Sequence, residues 1–425
     1  MTPRRRLDAG RLAIWIAFAA LWVWLDVVVP LRHLKETTGD FRAYHQAARA
    51  LAVGVSPYSE PAFIYPPLLP VLMLPLASLP VETARVVWFC ASQVALLGSF
   101  WLMLRVLGGG TAALAAVAAV WIAGGTVQEN LVLGQVNPFL LLAIALALWL
   151  LPARPRAAAA VIGVAASLKV WPAVLLLVFA WRRQWRPLLA GVAVTAALLV
   201  VPAAITAALV EQPGTFARDR PLRVGTAAPL NVSLPALALR IADPPRSGEM
   251  PASWIAGTSP GGFEPWSRHG WIAAAVAALV LIVAALALWS GASSSGSPAR
   301  AADRSLAGDR LPYALEIGAL VAAAILAAPV GWYHYQLCQF PAFALAVERA
   351  LAARRPRAAL LALVLLALLT RAQAWGFGRY VARWGWTAQA PALLWLVTGV
   401  IPVVAAVWAA YLVREARRNH RLSSA

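Results

Sequence analysis

Only two cysteines, Cys90 and Cys338, occur in 425 residues, and both lie within or beside apolar stretches. They have no metal-site spacing and suggest no disulfide framework, so redox and zinc-centred chemistry are not indicated. Acid is scarce as well, with 17 Asp and Glu against 36 Lys and Arg. Charged residues make up 12% of the chain, about half the share of a soluble domain. A nucleotide-binding loop is also missing, because the Gly108-Gly109-Gly110 turn has neither a Walker lysine nor a Rossmann setting.

Apolar residues fill the space these absences leave. Sixty-one per cent of the chain is hydrophobic and the mean hydropathy is +0.72, which puts most of it in lipid. A net charge of +19 would suggest nucleic acid in a soluble protein. Here the basic residues cluster in short loops between apolar segments, so their first reading is topological and no nucleic-acid partner is expected.

Apolar segments run at about 11–29, 64–79, 85–107, 111–125, 135–151, 157–181, 187–209, 271–290, 312–329, 335–351, 357–373 and 391–413. The first follows Arg4, Arg5 and Arg6 and is long enough to span, so it reads as a retained transmembrane helix. The expected fold is an all-α polytopic membrane protein with about 11–13 membrane segments, some of them short or re-entrant. Residues 64–79 carry Pro66, Pro67, Pro70 and Pro75 and either dip in and return or form a short span. Residues 157–181 are interrupted by Ser167-Leu168-Lys169-Val170-Trp171-Pro172, which predicts a hairpin with Lys169 at its tip.

Arginine sets the orientation. The N-terminal Arg triplet, Arg154 and Arg156, the Trp181–Arg186 turn, the 291–310 loop, Arg354–Arg357 and the Arg414–Arg421 tail read as cytoplasmic, as do both termini. Residues 31–63, 126–134, 210–270, 330–334 and 374–390 then face outward from a bacterial-type plasma membrane. The Ser- and Gly-rich stretch at 291–310 reads as a linker between a catalytic module, residues 1–290 with outer loops 31–63 and 210–270, and a C-terminal module, residues 311–425.

Five polar clusters interrupt the apolar pattern, and this topology puts all of them on the outer side. The first is Asp40 with Arg42, Tyr44 and His45, followed by Tyr65. Its carboxylate either caps a helix that begins at Phe41 or serves as a base for a sugar hydroxyl. The second is Gln128-Glu129-Asn130 with Gln135 and Asn137, whose amides bind sugar hydroxyls or satisfy helix ends. Lys169, the only lysine besides Lys35, is a costly charge in an apolar run and either meets a phosphate oxygen or snorkels to the interface. Asn231 with Ser233 and Arg240 is the fourth cluster. Gly331-Trp332-Tyr333-His334-Tyr335-Gln336 is the fifth, an aromatic belt or the mouth of a cavity. Arg218, Arg220 and Arg223 in the long outer loop bind a phosphate or face lipid headgroups.

The motifs Asp40-Phe41-x-x-Tyr44, Gly54-x-x-Pro57-Tyr58, Tyr65-Pro66-Pro67-Leu68, Gly134-Gln135-x-Asn137, Leu168-Lys169-x-x-Pro172 and His334-Tyr335 occur in that order. Together they resemble glycosyltransferase family 87, over about residues 11–350. That resemblance implies the GT-C fold and a polyprenyl-phosphate sugar donor, by default mannose. It implies Asp40 as catalytic base, with His334 and Lys169 near the donor phosphate. A second acidic residue does not follow Asp40, so the paired acidic motif of some relatives is absent, and neither a metal nor another cofactor is expected.

The expected function is therefore inverting transfer of one sugar, on the outer face, to a lipid or glycan acceptor. Lys169, His334, Arg218, Arg220 and Arg223 are the expected phosphate contacts. Tyr44, His45, Tyr65, Gln135, Asn137, Asn231 and Tyr333 are the expected sugar or acceptor contacts. Membrane lipids, donor and acceptor are the expected partners, with no obligate protein partner. The alternatives are a transporter or flippase, in which the same ionisable groups relay protons or substrate, and an enzyme that moves a whole glycan from a lipid pyrophosphate.

Overall fold

A computed structural model describes residues 9–34, 39–60, 62–210, 231, 233–242, 268–293, 310–328, 331–374 and 391–424. Among them every regular element is a helix, apart from one isolated antiparallel bridge between Asn231 and Trp332. The chain is a polytopic, all-α membrane protein of GT-C-like architecture. Among the described residues four helices are long and apolar enough to cross a bilayer: Ala9–His33, Val81–Val106, Trp185–Leu209 and Trp271–Trp289. A fifth crossing is available if Thr111–Ala123 and Thr126–Leu133, bent by 57° at Gly124 and Gly125, count as one span.

In chain order the helices are α1 (Ala9–Trp22), α2 (Val29–His33), α3 (Asp40–Ala52), α4 (Leu68–Ala77), α5 (Val81–Val106), α6 (Thr111–Ala123), α7 (Thr126–Leu133), α8 (Asn137–Leu150) and α9 (Pro155–Leu168). Then follow α10 (Leu177–Trp181), α11 (Trp185–Leu209), α12 (Leu234–Ala242), α13 (Arg268–Ser293), α14 (Arg310–Ala327), α15 (Phe340–Ala352), α16 (Pro356–Ala374) and α17 (Pro391–Ser424).

Of the two segments with an ambiguous reading, one forms a short helix and the other breaks in mid-course. Helix α4 has ten residues, about 15 Å of rise, half of what a bilayer core needs. Pro66 and Pro67 lead into it and Pro75 lies within it. The 157–181 run stops at Lys169, whose backbone is extended (φ −153°, ψ 128°), and resumes as a 3₁₀ segment, Trp171–Leu176, before α10. Pro172 supplies the punctuation: it has no N–H to donate to the Leu168 carbonyl four residues back, so the α-helical ladder cannot run through it, and it sits in the first turn of the new segment, where that donor is not needed. Residues 126–133, expected as part of an outer connection, form α7 instead, and its inward face carries Thr126, Val127, Asn130 and Leu131.

Small residues set the closest helix crossing. A side chain on Gly163 of α9 would stand 2.6 Å from the Gly191 carbonyl of α11, and one on Gly191 would meet the Ala159 carbonyl at 2.9 Å. Such close backbone approach replaces the missing hydrophobic drive between helices in lipid. Outside the spans, α3 is amphipathic: Phe41, Tyr44, Ala48 and Leu51 recur at helical spacing and pack on α4, while Arg49 stays on the other face.

The first and second halves of the chain are clamped together. Glu316 of α14 is fully buried and accepts two bonds from the Arg182 guanidinium, at 2.9 and 3.0 Å, and a third from Trp181 Nε1 at 3.4 Å. Arg182 also lies 3.9 Å over the Tyr313 ring. The 291–310 linker falls almost wholly outside the described residues, as do Arg218, Arg220 and Arg223.

Removing one partner of a buried ion pair costs more than replacing both by apolar groups. Glu316→Gln is expected to lower stability by about 3 kcal/mol, the low end for such a loss, because Arg182 keeps 19% exposure. The double variant Arg182→Met with Glu316→Met is expected to recover most of it. Thermal unfolding in detergent checks both; equal destabilisation of the single and double variants would rule the clamp out.

Candidate active site

Gly39 is the N-cap residue of α3, so Asp40 stands at the first helical position with its carboxylate turned to the core. Asp40 Oδ2 accepts a 2.5 Å bond from Gln135 Nε2. The same amide is engaged on its other side: Gln135 Oε1 accepts from the Tyr44 hydroxyl at 3.3 Å and the Tyr65 hydroxyl at 3.2 Å. The two phenol rings meet edge to face, 4.8 Å apart. A carboxylate accepts only, so Gln135 has to present its amide nitrogen to Asp40, and the tyrosines hold it that way round.

Gln135 is placed by the end of α7. Gly134 closes that helix in the left-handed region (φ 66°), where a side chain would stand 2.1 Å from an Arg85 guanidinium nitrogen and 2.6 Å from Phe41 Cβ. Arg85, buried at 4% exposure in α5, gathers the terminal carbonyls of Leu131, Val132 and Leu133, and Trp88 Nε1 donates to the Gly134 carbonyl at 2.9 Å. The guanidinium also lies 5.3 Å over Phe41, the neighbour of Asp40. One side chain therefore satisfies a buried helix end and seats both residues of the Asp40–Gln135 pair.

A second wall faces Tyr65 from the break after α9. Lys169 is buried, donates to Asn137 Oδ1 at 3.1 Å, and holds its ammonium 3.4 Å from the centre of the Tyr335 ring and 5.4 Å from that of Tyr65. Asn137 Nδ2 donates to Asn130 Oδ1 at 2.8 Å. Asn130 Nδ2 donates in turn to the backbone carbonyl of His334 at 2.9 Å. This amide relay fixes the 3₁₀ segment Tyr333–Gln339 beside Lys169. The His334 ring sits between Tyr333 and Tyr335, and among the described residues neither of its nitrogens has a hydrogen-bond partner. A buried imidazole without protein partners is open to a ligand.

The sequence-predicted residues thus divide. Asp40, Tyr44, Tyr65, Gln135, Asn137, Lys169, Tyr333 and His334 come together. His45 bonds through Nε2 to the carbonyls of Leu76 (3.1 Å) and Leu79 (3.2 Å) and pins α3 to the end of α4. Asn231 Oδ1 accepts from the Ser233 and Gly331 amides, at 3.1 and 2.9 Å, which ties residue 231 to the base of the His334 segment. Asn130 and Tyr335 stand in the second and fifth polar clusters without a role of their own, and Arg85 was not among the expected site residues. At the edge of an apolar run an arginine reads as a topological charge, and only its carbonyl partners, 46 to 48 residues away, say otherwise. Among the described residues no three His, Cys, Asp or Glu side chains gather as metal ligands would.

Asp40 lies outside the spanning helices. Burial pushes its carboxyl above the ordinary carboxylate range, against the opposing pull of the Lys169 charge, the Gln135 N–H and, more weakly, the Arg85 charge. Part of its own surface stays exposed. The group is thus an accessible, basic carboxylate with a fixed donor behind it and a cationic wall across from it.

A half-buried carboxylate facing a buried lysine lies in this polytopic helical membrane protein, and comparison with known proteins gives the family. The glycosyltransferase family 87 model matches residues 63–308, more than half of the chain, and the protein belongs to that family. It is also similar to the alpha-(1->3)-arabinofuranosyltransferase of Mycobacterium tuberculosis, in each of two strains, at 31% identity over 237 residues, 51% of this chain and 53% of the relative. The chain therefore spans about half the length of the relatives it matches. Tyr65, Arg85, Gln135, Asn137 and Lys169 fall inside the family match, whereas Asp40 and His334 lie outside it.

Arg85 acts on Asp40 in two ways, by placement and by charge, and two substitutions separate them. Arg85→Met is expected to lower the transfer rate roughly tenfold to a hundredfold, as a displaced catalytic geometry does. It is also expected to move the acid limb of the pH profile upward, since a positive charge that lowers the Asp40 pKa is lost. Arg85→Lys keeps the charge without the fork, so the rate falls while the limb stays. A pH–rate series on the two variants checks this, and unchanged rates in both would exclude a positioning role.

Proposed function

We propose that the protein transfers a single sugar from a polyprenyl-phosphate donor to a lipid or glycan hydroxyl, with inversion, at the outer face of the membrane. The observation that carries this reading is the pairing of Asp40, held by Gln135, with a facing wall of Lys169, Asn137 and the unpartnered His334 ring. In the proposed step Asp40 takes the proton of the acceptor hydroxyl as that oxygen bonds to the anomeric carbon. The anomeric carbon–oxygen bond to phosphate breaks on the opposite face, its electron pair staying on the phosphate. Lys169 balances the charge of the released polyprenyl phosphate and His334 completes its contacts. A single displacement gives inversion.

The outer placement of the site rests on arginine. Arg154 and Arg156 flank the start of α9, about 21 Å of helix from Lys169 at its other end. The Arg182–Arg186 and Arg354–Arg357 turns are further basic connections of the kind that stays in the cytoplasm. Arg218, Arg220 and Arg223 remain proposed phosphate contacts on their residue type alone, Asn231 and His45 have a supporting role, and Tyr44, Tyr65 and Asn137 contact sugar. The division into modules at 291–310 is retained as a proposal, as is catalysis without a metal.

Two sugars are in contention. Mannose is implied by the sequence resemblance, and arabinofuranose is suggested by the name of the relatives. Membranes containing the protein, supplied with radiolabelled polyprenyl-phosphate mannose or polyprenyl-phosphate arabinofuranose, distinguish them. One donor is expected to label a lipid or glycan fraction. Asp40→Asn, at equal protein level, is expected to reduce that labelling by about 10² to 10⁴. Retained labelling in Asp40→Asn would refute the base, and no labelling from either donor would favour a flippase or a pyrophosphate-linked donor.

The acid limb supplies a further check. The Asp40 pKa is raised, so lowering the pH protonates the base sooner than for a free aspartate, and the rate falls as pH drops through that raised value. Gln135→Leu removes a hydrogen bond that favours the ionised form, so the limb is expected to move up by about one pH unit. A limb that stays in place would show that Gln135 does not tune Asp40.

A further inference from the structure

A large cavity lies away from Asp40. About 710 Å³ opens between α13, α14 and α17, with the start of α12 at its edge, and no side chain of the active-site wall lines it. Leu234, Val283, Leu326 and Ala410 represent its apolar lining, and among the described residues the charged ones on it are Arg414 and Arg417. The lining residues of α17 run from Ala406 to Arg417, about 17 Å along the helix axis. The groove is thus elongated along a membrane helix, greasy over its length and cationic at one end. Among the described residues no carboxylate lines it, and Glu415, between the two arginines in sequence, faces Arg349 at 3.7 Å.

We propose that this groove is a binding site for an anionic phospholipid of the leaflet on the C-terminal side. One acyl chain lies along Val283 and Ala410, and the headgroup phosphate is held by Arg414 and Arg417. Charge complementarity selects this occupant. A second copy of the chain would leave two arginines unpaired against apolar helices, whereas a phosphate pairs with guanidinium in a fork while its tail fills the apolar length. Basic residues near a membrane surface contribute about 1 kcal/mol each toward acidic lipid, so two of them give roughly a tenfold or greater preference. The site lies outside the catalytic wall and does not depend on which sugar is transferred.

The experiment uses the full chain purified in detergent and exchanged into mixed phosphatidylglycerol and phosphatidylcholine, with retained lipid counted by native mass spectrometry. The native protein is expected to keep one phosphatidylglycerol over phosphatidylcholine by about tenfold. Arg414→Gln with Arg417→Gln is expected to bring that ratio to near one while lipid still binds. Ala410→Trp fills the apolar length with both arginines in place and is expected to reduce retention of either lipid. Unchanged selectivity in the arginine variant, retention of polyprenyl phosphate in preference to phosphatidylglycerol, or a dimer that excludes lipid from the groove would each overturn the proposal. Sugar transfer measured on the same samples keeps this result separate from that of the catalytic reading.

Discussion

The Gln135 amide has two ends, and both are committed. Its nitrogen holds the Asp40 carboxylate and its oxygen receives two tyrosine hydroxyls, so it cannot rotate without breaking three bonds at once. Everything that places Gln135 therefore places the Asp40 carboxylate, the proposed base. The left-handed turn at Gly134, the Arg85 fork on the last carbonyls of α7 and the Trp88 bond all converge on that one residue. A site in lipid has little bulk water to satisfy stray polar groups, and full mutual commitment among these groups is what makes a buried polar network tolerable there.

The facing wall is assembled by a different device. Lys169 is available because α9 ends at it and the chain resumes only as a 3₁₀ segment, a break whose polar edge has to line something other than lipid. The Asn137–Asn130 relay then imports the His334 carbonyl from two hundred residues further along, and the Asn231 side chain fixes the start of the same segment. With Glu316 clamped to Arg182, the two halves of the chain meet at both levels, through the ion pair and at the active-site wall. The candidate site is thus built mainly from short and broken helices, with Arg85 and Trp88 contributed by the long span α5.

Most of this wall could be read from the sequence because its residues break a rule. Lys169 is a charge in an apolar run, Asp40 is a rare acid just past the first span, and Gln135 and Asn137 are amides at a helix junction. What could not be read obeys the rules locally and departs from them only in three dimensions. Arg85 looks like a boundary charge until its partners on α7 are known. His45 has the look of a site residue, yet it spends its nitrogen on two carbonyls of the α4 end, and Asn231 does the same for backbone amides. Helix α7 was hidden because the run Gln128-Glu129-Asn130 resembles a connection, yet as a helix it turns Asn130 into the core beside Val127 and Leu131 and leaves Gln128 and Glu129 partly exposed. Mannose, as the default sugar, came from the resemblance alone, and the relatives bear the name of another sugar.

The account holds that one cavity takes donor phosphate on the Lys169–His334 side and acceptor hydroxyl on the Asp40 side. An experimental structure of the protein with a non-transferable polyprenyl-phosphonate sugar analogue tests this most directly. The phosphonate is expected in contact with Lys169 and His334, with the sugar between it and Asp40 and its anomeric carbon turned toward the carboxylate. A phosphonate bound away from Lys169, or a sugar out of reach of Asp40, would contradict the account.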